Sequence, residues 1–159
     1  MLFLVFGLLS CDSNLVQIDH QEFAQGAWPI QEAAQFDIQP VDTTRTYDLF
    51  LHLRNTRDYP YSNIYLITAM KFPHGKIVTD TLEYAMTTPQ GAFIGSASGA
   101  VVENKLWYRE GFRFRESGTY QLTIQHAMRD PRSVDGVPEL EGVLDIGYSI
   151  EKPLKDGEN

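Results

Sequence analysis

The chain reads as an all-β protein, an antiparallel β-sandwich of about eight strands in jelly-roll-like or immunoglobulin-like order. Three observations carry that reading. Several segments alternate apolar and polar residues with the two-residue period of a half-buried strand. Aromatic content is 12%, with nine Phe and eight Tyr, types that fit a pleated surface better than a helix. Clusters of Gly, Asn, Asp and Pro separate these segments, and no helical pattern extends beyond about two turns. At 159 residues the chain is the size of one domain, and burial of roughly 70% of its unfolded surface gives a core without disulfides.

Taken in order, residues 16–23 and 36–38 are the weaker strand candidates. Residues 46–54 alternate cleanly, with Tyr47, Leu49, Leu51 and Leu53 on one face and Asp48, His52 and Arg54 on the other, Phe50 being the exception. Asn63–Lys71 is apolar on both faces, which predicts a central strand covered on two sides. Between them, Asn55, Asp58 and Pro60 supply turn chemistry. Residues 76–84 form a β-branched strand. Phe112 and Phe114 face away from Arg113 and Arg115, and Gly118 turns into a strand over 119–127 with Tyr120, Leu122 and Ile124 on one face. The last strand, over 140–151, directs Leu144, Ile146, Tyr148 and Ile150 inward. The Gly/Ala/Ser segment 91–101 is expected to be an ordered loop. The sequence shows no repeat and no second domain.

The N-terminus is different in kind. Residues 2–9 are almost wholly apolar and too short to cross a hydrocarbon layer of about 30 Å as a helix, and Leu8-Leu9-Ser10 leads into Cys11, the single cysteine. The arrangement looks like a bacterial lipobox. Cleavage before Cys11 would leave diacylglycerol on its thiol and an acyl chain on its amino group, and two or three chains hold a protein on a bilayer where one does not. The competing reading is a free cysteine packed in an N-terminal strand. No basic residue opens the segment, as expected of a signal recorded only in part. The resulting division is 1–10 signal peptide, 11–15 lipidated tether, 16–154 sandwich and 155–159 polar tail.

Composition limits the chemistry. A net charge of −8 predicts poor binding to nucleic acid and to anionic membrane surfaces. The sequence holds no nucleophile elbow, HExxH, CxxC or P-loop pattern, so no catalytic residue, metal or diffusible cofactor is nominated and the chain is expected not to be an enzyme. His20, His52, His74 and His126 show no metal-ligand spacing. Trp28 and Trp107 are the natural platforms of a glycan-binding alternative, set against burial in the core. Two segments are dense in informative residues, 53–63 and 125–130. They nominate Arg54, Asn55, Tyr59, Tyr61, Asn63, His126 and Arg129 as partner-binding candidates, because Arg and Tyr dominate interface hot spots. Structural roles compete: Arg54 and Arg129 can pair with acids of the fold, and His126, on the face of Tyr120, Leu122 and Ile124, can be a hydrogen-bonded histidine of the rim.

The motifs also resemble a known family. A lipobox-like start, Trp28, "YDLFLHLRNTRDYPYSNIYL", "DTLEY", "GAFIGSASG", "GTYQLTIQHAMRD" and "GVLDIGYSIEK" occur in the order found in the gliding-motility lipoprotein GldH family of the Bacteroidota. The resemblance runs from Cys11 to about Lys152. It implies a lipid-anchored envelope protein in the inner or outer membrane, with Cys11 as the acylated residue. It also implies an accessory role in surface gliding, linked to type IX secretion, with partners among those envelope proteins.

Overall fold

The computed structural model describes residues 14–40, 42–132 and 134–154. The signal segment, Cys11 and the tail 155–159 lie outside the described residues.

Two sheets stack face to face. One runs in the order β1 (Leu15–Glu22), β11 (Val143–Glu151), β4 (Tyr47–Thr56), β8 (Val101–Phe112), β7 (Ser96–Ser98). The other runs β3 (Ala34–Ile38), β9 (Tyr120–His126), β5 (Asn63–Lys71), β6 (Ile77–Ala85), and a two-stranded ribbon joins β2 (Ala27–Pro29) to β10 (Glu139–Glu141). All pairings are antiparallel. The long strands pair from the outside inward, β1 with β11, β3 with β9, β4 with β8 and β5 with β6. A hairpin wrapped over on itself in this way is a jelly roll, which decides between the two strand orders the sequence allowed.

The core follows the alternation. Leu49, Leu51 and Leu53 of β4 meet Ile64, Leu66 and Met70 of β5 and Tyr120, Leu122 and Ile124 of β9, all buried. At one end Tyr47, Phe72, Phe112, Phe114 and Tyr120 form an aromatic cluster, with Phe114 and Tyr120 centroids 5.0 Å apart. At the other end Phe23 stacks on Trp28 at 4.8 Å.

Five expectations change. β5 is covered on one side only, since Tyr65 and Ile67 stand 37% exposed on the outer face of its sheet. The segment at 140–151 is two strands, because Gly142 turns at φ +82° against the Tyr59 backbone. Val143 rather than Leu144 takes the inward position, the register slipping by one residue between Val143 and Asp145. The longest strand, β8, occupies residues read from sequence only near Phe112, while Phe114 is buried beyond its end. The segment 91–101, expected to be an ordered loop, carries β7: residues 86–98 fold back, Ile94 N–H donating to the Met86 carbonyl at 2.9 Å, and set β7 on the β8 edge.

Candidate functional site

Cross-strand register builds an ordered surface on the outer face of the five-stranded sheet. Three rows cross β1, β11, β4 and β8: Glu22, Asp145, Arg54, Glu103; then His20, Gly147, His52, Lys105; then Ile18, Ser149, Phe50, Trp107. Residues opposite one another in antiparallel strands lie within about 5.5 Å, so each row is a line of neighbours. A cleft of about 650 Å³ opens over the first two rows, lined by Ile18, His20, His52, Arg54, Ile94 and Lys105 among others.

The first row is an ion pair set into the sheet. Arg54 Nε and Nη2 both approach Asp145 Oδ2 at 2.7 Å, and Glu22 lies at 4.0 Å from the guanidinium. The Asp145 side chain is 4% exposed and that of Arg54 39%, so the carboxylate depends on the arginine while the arginine still reaches water. The hydrogen bond to Asp145 is the main reason the Arg54 guanidinium is held above its ordinary pKa.

The second and third rows share a polar chain. His52 Nε2 lies 2.7 Å from Ser149 Oγ, Ser149 Oγ donates to Glu151 Oε1 at 3.0 Å, and Glu151 Oε2 meets Lys105 Nζ at 2.7 Å. Because the serine proton goes to Glu151, the imidazole must donate to Ser149 rather than accept from it. Burial is the main cause that lowers the His52 pKa. This bonding, with Ser149 buried, orients side chains and does not activate a nucleophile. Lys105 Nζ also sits 4.1 Å from the Phe50 ring centroid, and Phe50 packs on Trp107 at 4.4 Å.

The residues nominated from sequence divide between surface and interior. Asn55, Tyr59 and His126 are buried, which removes them as direct partner contacts. Asn104 Nδ2 donates to Asn55 Oδ1 at 2.7 Å, and Asn55 donates to the Thr56 carbonyl. Tyr59 donates its hydroxyl to the Asn63 carbonyl at 2.8 Å and packs on Tyr61 at 5.8 Å, so Tyr59, Tyr61 and Asn63 do come together at the end of the sandwich. His126 Nε2 lies 3.1 Å from the Trp28 carbonyl oxygen, the structural role weighed for it. Arg54 is engaged by Asp145, and Arg129, exposed, follows β9 on the opposite sheet, so the two arginines do not form one patch. Trp28 is fully buried and donates Nε1–H to the Glu32 carbonyl at 2.6 Å, which rules it out as a surface platform; Trp107 is 55% exposed. Phe50, His52, Lys105, Ser149 and Glu151 were not nominated. Alternation alone places His52 outward, but the partners across three strands are set by register.

The GldH lipoprotein family profile matches residues 16–150, nearly all of the described sandwich. The chain belongs to the GldH lipoprotein family. It is 45% identical over 151 residues to the gliding motility lipoprotein GldH homolog of Christiangramia forsetii, covering 95% of this chain and 92% of the relative. It is 37% identical over 145 residues to the gliding motility lipoprotein GldH of Flavobacterium johnsoniae, covering 91% and 89%. Membership makes this GldH-family sandwich a membrane-anchored lipoprotein of the cell envelope. Asn14 and Leu15, where the chain enters the sandwich, lie beside Lys152 and Glu151 at the sheet edge.

Proposed function

We propose that this protein is a lipid-anchored accessory component of the gliding machinery, linked to type IX secretion, that acts through protein–protein contacts rather than catalysis. The observation that carries this reading is the match to gliding-motility lipoproteins along almost the whole sandwich. Cys11 is the acylated residue, carrying diacylglycerol and an N-acyl chain, and needs no other cofactor. Confinement to a membrane plane raises the effective concentration of the domain near its neighbours, so weak contacts suffice. Arg54, His52 and His126 are bonded within the fold, to Asp145, Ser149 and Trp28, so the contacts fall mainly to other surface residues. Of the partner-binding residues nominated from sequence, Tyr61, Asn63 and Arg129 keep surface for a partner, as does part of Arg54.

The test is cross-linking and pull-down from the native envelope with a Cys11→Ser control. Wild type is expected to fractionate with membranes and to recover gliding or secretion proteins, and Cys11→Ser to lose both. Equal membrane association and equal recovery by the two would refute the anchor. A glycan-binding alternative draws on exposed Trp107 over Phe50; Trp107→Ala abolishing retention on envelope polysaccharide while sparing the pull-down would favour it.

A further inference from the structure

The net charge of the chain conceals a sorting along the strand axis. β1 enters, and β11 leaves, at the end occupied by the start of β4, the β5–β6 turn and the segment after β8. In the half of the sandwich toward that end, Arg45, Lys71, Lys76, Arg109, Arg113, Arg115 and Lys152 balance an equal number of carboxylates, with Asp19 and Lys105 at the midline. The opposite half holds ten carboxylates, Asp58, Glu139 and Glu141 among them, against Arg54, Arg57, Arg129 and Arg132. Among the described residues the excess negative charge therefore lies far from the N-terminal entry.

Pairing sharpens the difference. Most acids near the entry are engaged, Asp42 with Arg45, Glu116 with His74, Glu151 with Lys105, Asp48 with the Gly111 N–H and Asp37 with Gln121, while Glu110 stands exposed. Lys71, Arg113, Arg115 and Lys152 are exposed and make no ion pair among the described residues. Leu15, Ile77 and Leu154 are exposed apolar side chains at the same end. Cys11 precedes Asn14 by three residues, a reach of at most about 11 Å. Asn14 is itself fixed, its carbonyl accepting the Lys152 N–H at 2.8 Å. An acylated Cys11 thus brings this end within touching distance of the lipid headgroups.

We infer that the sandwich docks end-on against the phospholipid surface, with Lys71, Arg113, Arg115 and Lys152 at the lipid phosphates and the acidic end turned away. This rests on acylation of Cys11 and goes beyond it by fixing which surface the anchor hides and which it presents. With the sandwich docked in this way, repulsion by an anionic surface would act mainly on the far half, roughly 30 Å away along a nine-residue strand, several Debye lengths at physiological salt.

The test uses full-length acylated protein in vesicles of phosphatidylethanolamine with phosphatidylglycerol. With the Cys11 thiol acylated, a fluorophore is attached through Arg113→Cys or Lys152→Cys at the entry end, or Glu139→Cys at the far end, and quenching by headgroup-spin-labelled lipid is read. Quenching is expected at 113 and 152 and not at 139. It should weaken in high salt, and the docked-to-undocked ratio should fall about fivefold for each of Lys71→Gln and Arg115→Gln. Equal quenching at both ends of a protein that floats with the vesicles overturns the docking and leaves the anchor standing. Flotation that is absent, or unchanged by Cys11→Ser, overturns the anchor and the docking with it.

Discussion

Arg54 and Asp145 show how a residue nominated for contact became part of the fold. Removing the arginine strands a carboxylate that is 4% exposed, whereas removing the carboxylate leaves a guanidinium that is 39% exposed and close to Glu22. A buried group left unsatisfied costs about 1–3 kcal/mol, so Arg54→Ala should lower stability by about that much and Asp145→Ala by less; urea titration of the pair measures the asymmetry. Two histidines, His126 buried and His52 partly so, give a pH signature. Burial is the main cause that lowers both the His52 and His126 pKa from 6.5. The unfolded chain therefore binds these protons first, and stability, full above pH 6.5, is lost as pH falls through the lowered folded-state values. Melting temperature should drop across that window, and less so in His52→Gln/His126→Gln. At this scale sequence alternation located His126 on the inner face, but the Trp28 carbonyl it meets lies 98 residues away and is set by tertiary register.

Elements were legible where one face was greasy and the other polar. β4 and β9 follow their alternation closely, with Leu49, Leu51, Leu53, Leu122 and Ile124 all inward. β8 escaped because its inward row includes Asn104 between Val102 and Leu106, and its outward row includes Trp107. A buried amide that satisfies Leu53 O and Asn55 Oδ1 reads as polar in one dimension and as core in three. β5 misled in the opposite way, since Tyr65 and Ile67 are apolar yet face outward. Gly147 shows what β11 demands of its neighbour: a Cβ there would lie 2.8 Å from His20 Cβ and against the Asp19 carbonyl oxygen. Gly147→Ala should push β1 off the sheet edge at a cost of about 1–3 kcal/mol. Hydrogen exchange that rises across residues 17–21 while β9 stays protected would register it; unchanged β1 protection would show that the strand accommodates the methyl.

For the whole molecule, the wrapped hairpin sets the chain entry, the β5–β6 turn and the segment after β8 at one end, and the 53–63 and 125–130 segments at the other. With the proposed anchor at Cys11 and end-on docking, Tyr61, Asn63 and Arg129 would face away from the bilayer, where a partner in the envelope could meet them. The sequence by itself determined the all-β class, the inward leucine rows, the lipobox-like cysteine and, through its ordered motifs, the family. Those are local properties, carried by residue types at fixed spacing. Only the tertiary structure decided the jelly-roll order, the pairing of Arg54 with Asp145, the burial of Trp28 against the exposure of Trp107, and the sorting of charge along the strands. Each of these depends on which distant strands become neighbours and in what register, and a linear pattern with a period of two leaves that choice open.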